Sequence, residues 1–205
     1  MHLHPKRIFF KDYMFDIVEN VYEPAEDSFL LAERLAIKDG DMVLDVGTGC
    51  GILAVLATKK AKKVIATDIN PFAVQSAAQN AVLNNFDDKI EVRQGDLFEP
   101  IEKNERFDVI LFNAPYLPSE EWEERDMVSQ AWAGGETGRK VIDRFISSVG
   151  KYLSENGKIL LVQSTLSDVE QSLRMFFEEG LVAQVIAEKK VAFETIVVIE
   201  ARRLN

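Results

Sequence analysis

From Asp41 onward, short β-branched apolar runs alternate with longer stretches whose apolar positions recur every three or four residues. That alternation is the signature of an α/β sheet, in which buried strands read as continuous apolar runs and each covering helix needs one apolar stripe. It predicts strands over Met42–Val46, Val64–Thr67, Ile90–Arg93, Val109–Asn113, Lys158–Gln163, Leu181–Glu188 and Thr195–Arg202. Helices are predicted over Ala25–Ala36, Gly51–Lys60, Pro71–Asn84, Gly138–Leu153 and Leu166–Glu179. Asn70 is a suitable N-cap, and Pro71 fills the first helical position, where a missing N–H costs nothing. Gly180 marks a helix stop. The last two strands are separated only by "KKVAFE", too short for a crossover helix, so they form an antiparallel pair at one end of a mostly parallel seven-stranded sheet. The span from Pro115 to Gly138 has no such pattern, and a loop of that length inside a compact domain is usually functional or mobile.

Composition narrows the setting. A chain of 205 residues, 47% apolar and 28% charged, fits one domain that buries a core without disulfides. Acidic residues outnumber basic ones 34 to 24, a net charge of −10, so no broad phosphate-binding surface is implied and direct nucleic-acid binding is not expected. The single Cys50 excludes an internal disulfide, and the two histidines, His2 and His4, are poorly placed as metal ligands, so no metal is expected. No apolar run reaches the roughly 20 residues of a membrane span, and "MHLHPKRIFFKDY" lacks a signal-peptide core. A soluble, cytoplasmic protein is the expectation.

Candidate chemistry begins at "MVLDVGTGCGILAVLA", a buried strand, an acid, three alternating glycines and a helix. Glycines there allow a tight turn and a close approach of ligand to backbone, at the strand end where open α/β sheets bind ligands; a plain strand-to-helix turn would need only one. Asp68 closes the next strand, where a carboxylate can accept from both hydroxyls of a ribose or simply favour a helix N-terminus. Dinucleotides and S-adenosylmethionine share this geometry. The glycines stand at 47, 49 and 51 rather than in a GxGxxG spacing, and Asp45 would repel a pyrophosphate but attract an amino group and a sulfonium. S-adenosylmethionine is the better fit. On the following loop, Gly95 and Asp96 form either a turn or an acceptor for an adenine amine, with Leu97 beside the ring.

The fourth strand ends in "NAPY", Asn113 to Tyr116. The Asn113 side-chain oxygen and the Ala114 backbone carbonyl can each accept one N–H of a planar amide, and Tyr116 can wall it. Orientation of this kind contributes up to ~7 to 11 kcal/mol in favourable cases. The plain alternative is a strand stopped by Pro115.

These residues resemble the HemK-like class I S-adenosylmethionine-dependent methyltransferases, a Rossmann-like, doubly wound fold, over nearly the whole chain. Asp45 to Gly51, with Gly47 and Gly49, look like the family's first motif, Asp68 its ribose acid, Asp96 its adenine-loop acid, and Asn113 to Tyr116 its Asn-Pro-Pro-Tyr signature. The chain departs from that signature at Ala114, which keeps a carbonyl but loses the fixed φ of proline. "VYEPAEDSFLL" and "AWAGGETGRKVIDRF" are similar to the archaeal and eukaryotic branch that methylates the glutamine of the Gly-Gly-Gln loop in class I release factors.

The resemblance implies N5-methylation of that glutamine. It also implies that Ser28 and the acidic segment before it lie over the cofactor, with residues 1–40 covering a core of residues 41–205, and that a small zinc-binding activator subunit pairs with a sheet edge. "KIEVRQ" is the candidate edge strand. The alternative is an RNA or DNA adenine or guanine N-methyltransferase, since "NAPY" can grip any planar exocyclic amine. Three segments stay open. "PAEDS" is also a plain helix start, "SEEWEERD" is either a substrate contact or a solvated face, and "WAGGETGRK" either closes over substrate or turns the chain. Cys50, at a helix start, is either an activated thiol or a small buried residue.

Overall fold

A computed structural model describes residues 5–120 and 128–204. The acidic run at residues 121–127 and the two histidines lie outside those residues.

A seven-stranded sheet organises the chain in the order β5-β4-β3-β6-β7-β9-β8. Its strands are β3 (Met42–Val46), β4 (Lys63–Asp68), β5 (Ile90–Gln94), β6 (Phe107–Asn113), β7 (Leu153–Ser164), β8 (Leu181–Lys190) and β9 (Thr195–Arg203). Strands β3 to β7 run parallel, and β9 lies antiparallel between β7 and β8. The short "KKVAFE" connection therefore does what its length demands. Helices α1 (Glu26–Glu33), α2 (Ile52–Ala57), α3 (Pro71–Leu83), α4 (Lys140–Val149) and α5 (Val169–Glu178) cover the sheet. Central strand residues such as Leu44, Ile65, Ile110, Leu111, Leu160 and Leu161 are sealed from solvent. Burying each such side chain stabilises the fold by about 1.5 to 3 kcal/mol before conformational entropy is counted.

Local chemistry explains the boundaries. The Asn70 side chain accepts from Phe72 N at 2.9 Å, capping α3 as expected. Helix α5 starts later than its apolar pattern suggests, because Ser164 caps a 3-10 turn at Thr165–Ser167 and Asp168, at φ +51°, then caps the helix through Gln171 N at 3.0 Å. Gly180, at φ +76°, ends it. Helix α4 stops at Val149 and β7 begins at Leu153, so the predicted helix reached four residues too far.

A hairpin of β1 (Lys6–Phe10) and β2 (Tyr13–Ile17) precedes the residues whose periodicity was legible. It rests on α3 through side-chain amides. Asn80 Oδ1 accepts from Asp16 N at 2.8 Å, and Asn84 Oδ1 accepts from Met14 N at 3.1 Å. Their Nδ2 groups return bonds to Asp16 O at 3.0 Å and Met14 O at 2.7 Å. Asn80 also donates to Cys50 O at 2.9 Å, tying the hairpin to the glycine loop. Among the described residues, no helix is long and apolar enough to cross a membrane, and no cluster of His, Cys, Asp and Glu could hold a metal ion.

Candidate active site

Two cavities adjoin at the carboxyl ends of β3, β4 and β6. The first, of about 360 Å3, is lined by the loop after β3, by Asp68 and Asp96, and by Ser28 and Asn113. The second, of about 340 Å3, is walled by Tyr22, Asp27, Ala114, Tyr116, Leu117 and Trp132. Tyr22 and Ala131 border both.

The glycine loop needs its glycines for different reasons. All three have positive φ, +62° at Gly47, +56° at Gly49 and +83° at Gly51. A Cβ on Gly47 would sit 3.2 Å from the Phe112 ring, and one on Gly51 would sit 3.1 Å from the α3 backbone at Ala77. A Cβ on Gly49 would meet nothing within 4 Å, which leaves that backbone open to a ligand. Gly49 N donates to Asp68 Oδ2 at 2.9 Å, and Asn70 N donates to Oδ1 at 2.9 Å. Each carboxylate oxygen keeps a further lone pair for a hydroxyl. Burial pushes the Asp68 carboxyl above the usual range, and those backbone donors pull it back.

Asp45 is not on the cavity wall. It lies fully buried beneath the loop, where Thr48 Oγ1 donates to Oδ2 at 2.6 Å and Oδ1 has no partner among the described residues. Desolvation raises its carboxyl to about 7. Asp45 therefore meets the cavity only through the loop it holds.

Asp96 lines the cavity, but its Oδ2 takes a bond from Arg144 of α4 at 2.6 Å. An adenine amine would share this carboxylate with a guanidinium. Leu97 stands at φ +49°, an unfavourable geometry for a side-chain-bearing residue, and lines the cavity next to Asp96. Cys50 is buried, and desolvation lifts its thiol to about 12, which fits the small buried residue rather than an activated thiol.

The "NAPY" residues divide between the cavities. Asn113 and Pro115 line the first, Ala114 and Tyr116 the second. Asn113 Nδ2 donates to Ser28 Oγ at 3.2 Å, and its Oδ1 is buried without a partner among the described residues. An unused buried acceptor costs about 1 to 3 kcal/mol, so its retention points to a donor supplied from outside. Ser28 thus touches Asn113 as well as lining the first cavity.

Sequence reasoning missed the contacts behind this pair. Asp27, part of the acidic segment that the resemblance lays over the cofactor and also of a plain helix start, is buried and receives Tyr22 OH at 3.1 Å, Tyr116 OH at 3.3 Å and Ser28 N at 2.5 Å. Burial first, then the Asp27 charge, hold both tyrosine hydroxyls well above the usual phenol range.

"WAGGETGRK" turns out to be the brace of the signature loop. Leu117 N donates to Trp132 O at 2.9 Å, Gly134 N to Leu117 O at 2.7 Å, and Ser119 N to Gly135 O at 2.9 Å. Arg139, almost wholly buried, donates to Asp168 O at 2.7 Å and to Ser172 Oγ at 3.1 Å, locking this brace to the start of α5. The signal lay in the paired glycines, whose close backbone approach has no side-chain signature.

A mostly parallel seven-stranded sheet with a glycine loop, an acid closing the next strand and an Asn-x-Pro-Tyr strand end defines a class I methyltransferase fold. The chain belongs to the methyltransferase small domain family, whose model matches residues 23–192. It is 42% identical over 186 residues to a Methanocaldococcus jannaschii protein provisionally named a protein N5-glutamine methyltransferase, covering 90% of this chain and 92% of that one. It is 32% identical to the human methyltransferase HEMK2, over 88% of this chain and 89% of the other. Among solved structures, the E. cuniculi Mtq2–Trm112 complex, described as responsible for methylation of the termination factor eRF1, matches with a TM-score of 0.72 and 26% identity. That match covers 90% of this chain and 99% of the other.

Proposed function

We propose that the chain transfers a methyl group from S-adenosylmethionine to the side-chain nitrogen of a protein glutamine, that of the Gly-Gly-Gln loop in a class I release factor. The observation that carries this reading is the buried, unpartnered Oδ1 of Asn113, a residue that lines the first cavity beside Ala114 of the second. The names of the relatives support the substrate class.

The residues fit the cofactor. A cavity of about 360 Å3 lies within the usual range for small-molecule sites. Asp68 offers acceptors for two hydroxyls, the open backbone at Gly49 admits close approach, and Asp45 holds the loop from behind through Thr48. When bound, the cofactor supplies an electrophilic methyl on its sulfonium.

The protein's part is orientation. An amide nitrogen is a weak nucleophile, because its lone pair is delocalised into the carbonyl. Asn113 Oδ1 and the Ala114 carbonyl each accept one N–H, which turns the lone pair toward the first cavity. Tyr116 and Tyr22 wall the planar group and exclude water. No strong base is required, since a methylated amide carrying an extra proton is acidic enough to lose it to solvent.

Strand β5 supplies the place for the activator. It forms one edge of the sheet. Val64 N donates to Lys89 O and Gly95 N to Asp68 O, so by the alternation of a parallel ladder the N–H groups of Glu91 and Arg93 face β4 and that of Val92 faces outward. A small zinc-binding subunit pairing there would extend the sheet. A cytoplasmic location goes with this reading, since its substrate is a translation factor.

The test is transfer of labelled methyl from S-adenosylmethionine to a release factor, beside a release factor whose loop glutamine is replaced. Label that depends on the glutamine is expected. Equal labelling of both, or labelling of RNA alone, rejects the reading.

A further inference from the structure

We propose that Asp27 is a positioning residue of the transfer reaction, fixing through Ser28 the sense in which the Asn113 amide faces its substrate. The proposal rests on the reading of Asn113 as the acceptor of the substrate N–H. It follows from the directions of three hydrogen bonds.

Asp27 Oδ1 takes Ser28 N at 2.5 Å and Ser28 Oγ at 3.2 Å. Oδ2 takes Tyr22 OH at 3.1 Å and Tyr116 OH at 3.3 Å. These donors occupy the acceptor sites a carboxylate has, and none of them carries a charge. Asp27 is therefore an acceptor toward every neighbour.

The consequence passes to Ser28. A serine hydroxyl has one hydrogen, and here it points at Asp27. Ser28 Oγ can then only accept from its other side. The group it faces is Asn113 Nδ2, at 3.2 Å, and the Asn113 oxygen is thereby turned away. With the hydroxyl reversed, Ser28 would donate to Asn113, the amide would rotate, and its NH2 would confront the NH2 of the substrate. Two donors would meet, and the nitrogen lone pair would lose its aim. The same carboxylate also accepts from Tyr116 and Tyr22, which border the second cavity.

The experiment uses the full chain with its activator subunit, S-adenosylmethionine carrying a labelled methyl, and a release factor. Asp27→Ala is expected to lower the single-turnover rate by about 10- to 100-fold while cofactor affinity stays within about threefold of wild type. Asp27→Asn keeps an oxygen toward Ser28 and is expected to recover most of that loss; Ser28→Thr, which keeps the hydroxyl, should exceed Ser28→Ala by a similar factor.

The decisive readout is the double variant. In an Asn113→Ala background the Asp27→Ala change is expected to cost less than about threefold, because the amide it orients is gone. A full additive loss would show Asp27 acting on the fold rather than through Asn113, and would overturn the proposal. So would a wild-type rate for Asp27→Ala, or Asp27→Asn as slow as Asp27→Ala in protein with an unchanged circular dichroism spectrum. Failure of the functional reading is distinct, since wild-type protein would then show no glutamine-dependent labelling at all.

Discussion

Gly138→Ala is the sharpest probe of how the brace holds the signature loop. Gly138 stands at φ +71°, and a Cβ there would lie 2.3 Å from the Tyr116 carbonyl oxygen and 3.1 Å from Ser167 Cβ. Real Cβ contacts essentially never fall below 3.0 Å, so backbone must move by about 0.7 Å for the alanine to fit (3.0 minus 2.3). Positive φ contributes roughly 1 to 2 kcal/mol and overpacking roughly 1 to 3 kcal/mol. For a chain of this size, a sum of roughly 2 to 5 kcal/mol corresponds to a fall in Tm of roughly 5 to 15 °C.

The displaced atom belongs to Tyr116, two residues from the Ala114 carbonyl. Misplacement by about 1 Å can cost about 100-fold in rate, so a loss of roughly 10- to 100-fold in methyl transfer is expected, with cofactor binding retained. Thermal unfolding and single-turnover transfer are the assays. Gly150→Ala is the control, because a Cβ there meets nothing within 4 Å and φ is not positive. If Gly138→Ala matches Gly150→Ala in both Tm and rate, the brace does not position the loop and the reasoning is wrong.

Asn113→Ala should leave cofactor binding by calorimetry within a few-fold and reduce transfer by about 100-fold or more; unchanged turnover would remove Asn113 from the mechanism. Asp45, held up at about 7 by burial, takes up a proton more readily in the folded state than in the unfolded one. Stability is therefore greatest below about pH 4 with respect to this group and falls as pH rises through about 7, by up to about 4 kcal/mol. Asp45→Asn should flatten that slope in urea unfolding, and an identical slope would reject the assignment. Val92→Pro removes an N–H that faces away from β4, so the isolated chain should keep its Tm within about 3 °C while losing co-purification with the activator; a retained complex would refute pairing at β5.

The sheet was legible because its strands are continuous apolar runs and its helices have real caps, as at Asn70 and Gly180. The hairpin at β1 and β2 was not. Its turn uses Lys11 at φ +53° rather than glycine or asparagine, and its backbone is held from α3 by Asn80 and Asn84, residues that look like ordinary polar positions of a helix. In the site, Gly47, Gly49, Asp68 and Asn113 fall together around one cavity as their spacing suggested. The fully buried place of Asp45 and the Arg144 bond to Asp96 depend on tertiary contacts with no local pattern. The bonds of Asp27 to Tyr22 and Tyr116 were hidden for the opposite reason. Acids near a helix start already have an adequate local explanation, which obscured a tertiary one.

The amides of Asn80 and Asn84 also govern adhesion. Every strand with a free flank can capture another chain. On β2 that flank is occupied by two side chains that imitate a neighbouring strand, donor for acceptor. On β8 the ladder is broken by an irregularity between Val185 and Ala187 and followed by Glu188, Lys189 and Lys190. The flank of β5 has no such irregularity in its ladder with β4. Selectivity for a partner is thus written partly as refusals elsewhere on the surface, and replacing Asn84 with alanine would offer visiting strands a second place to stick.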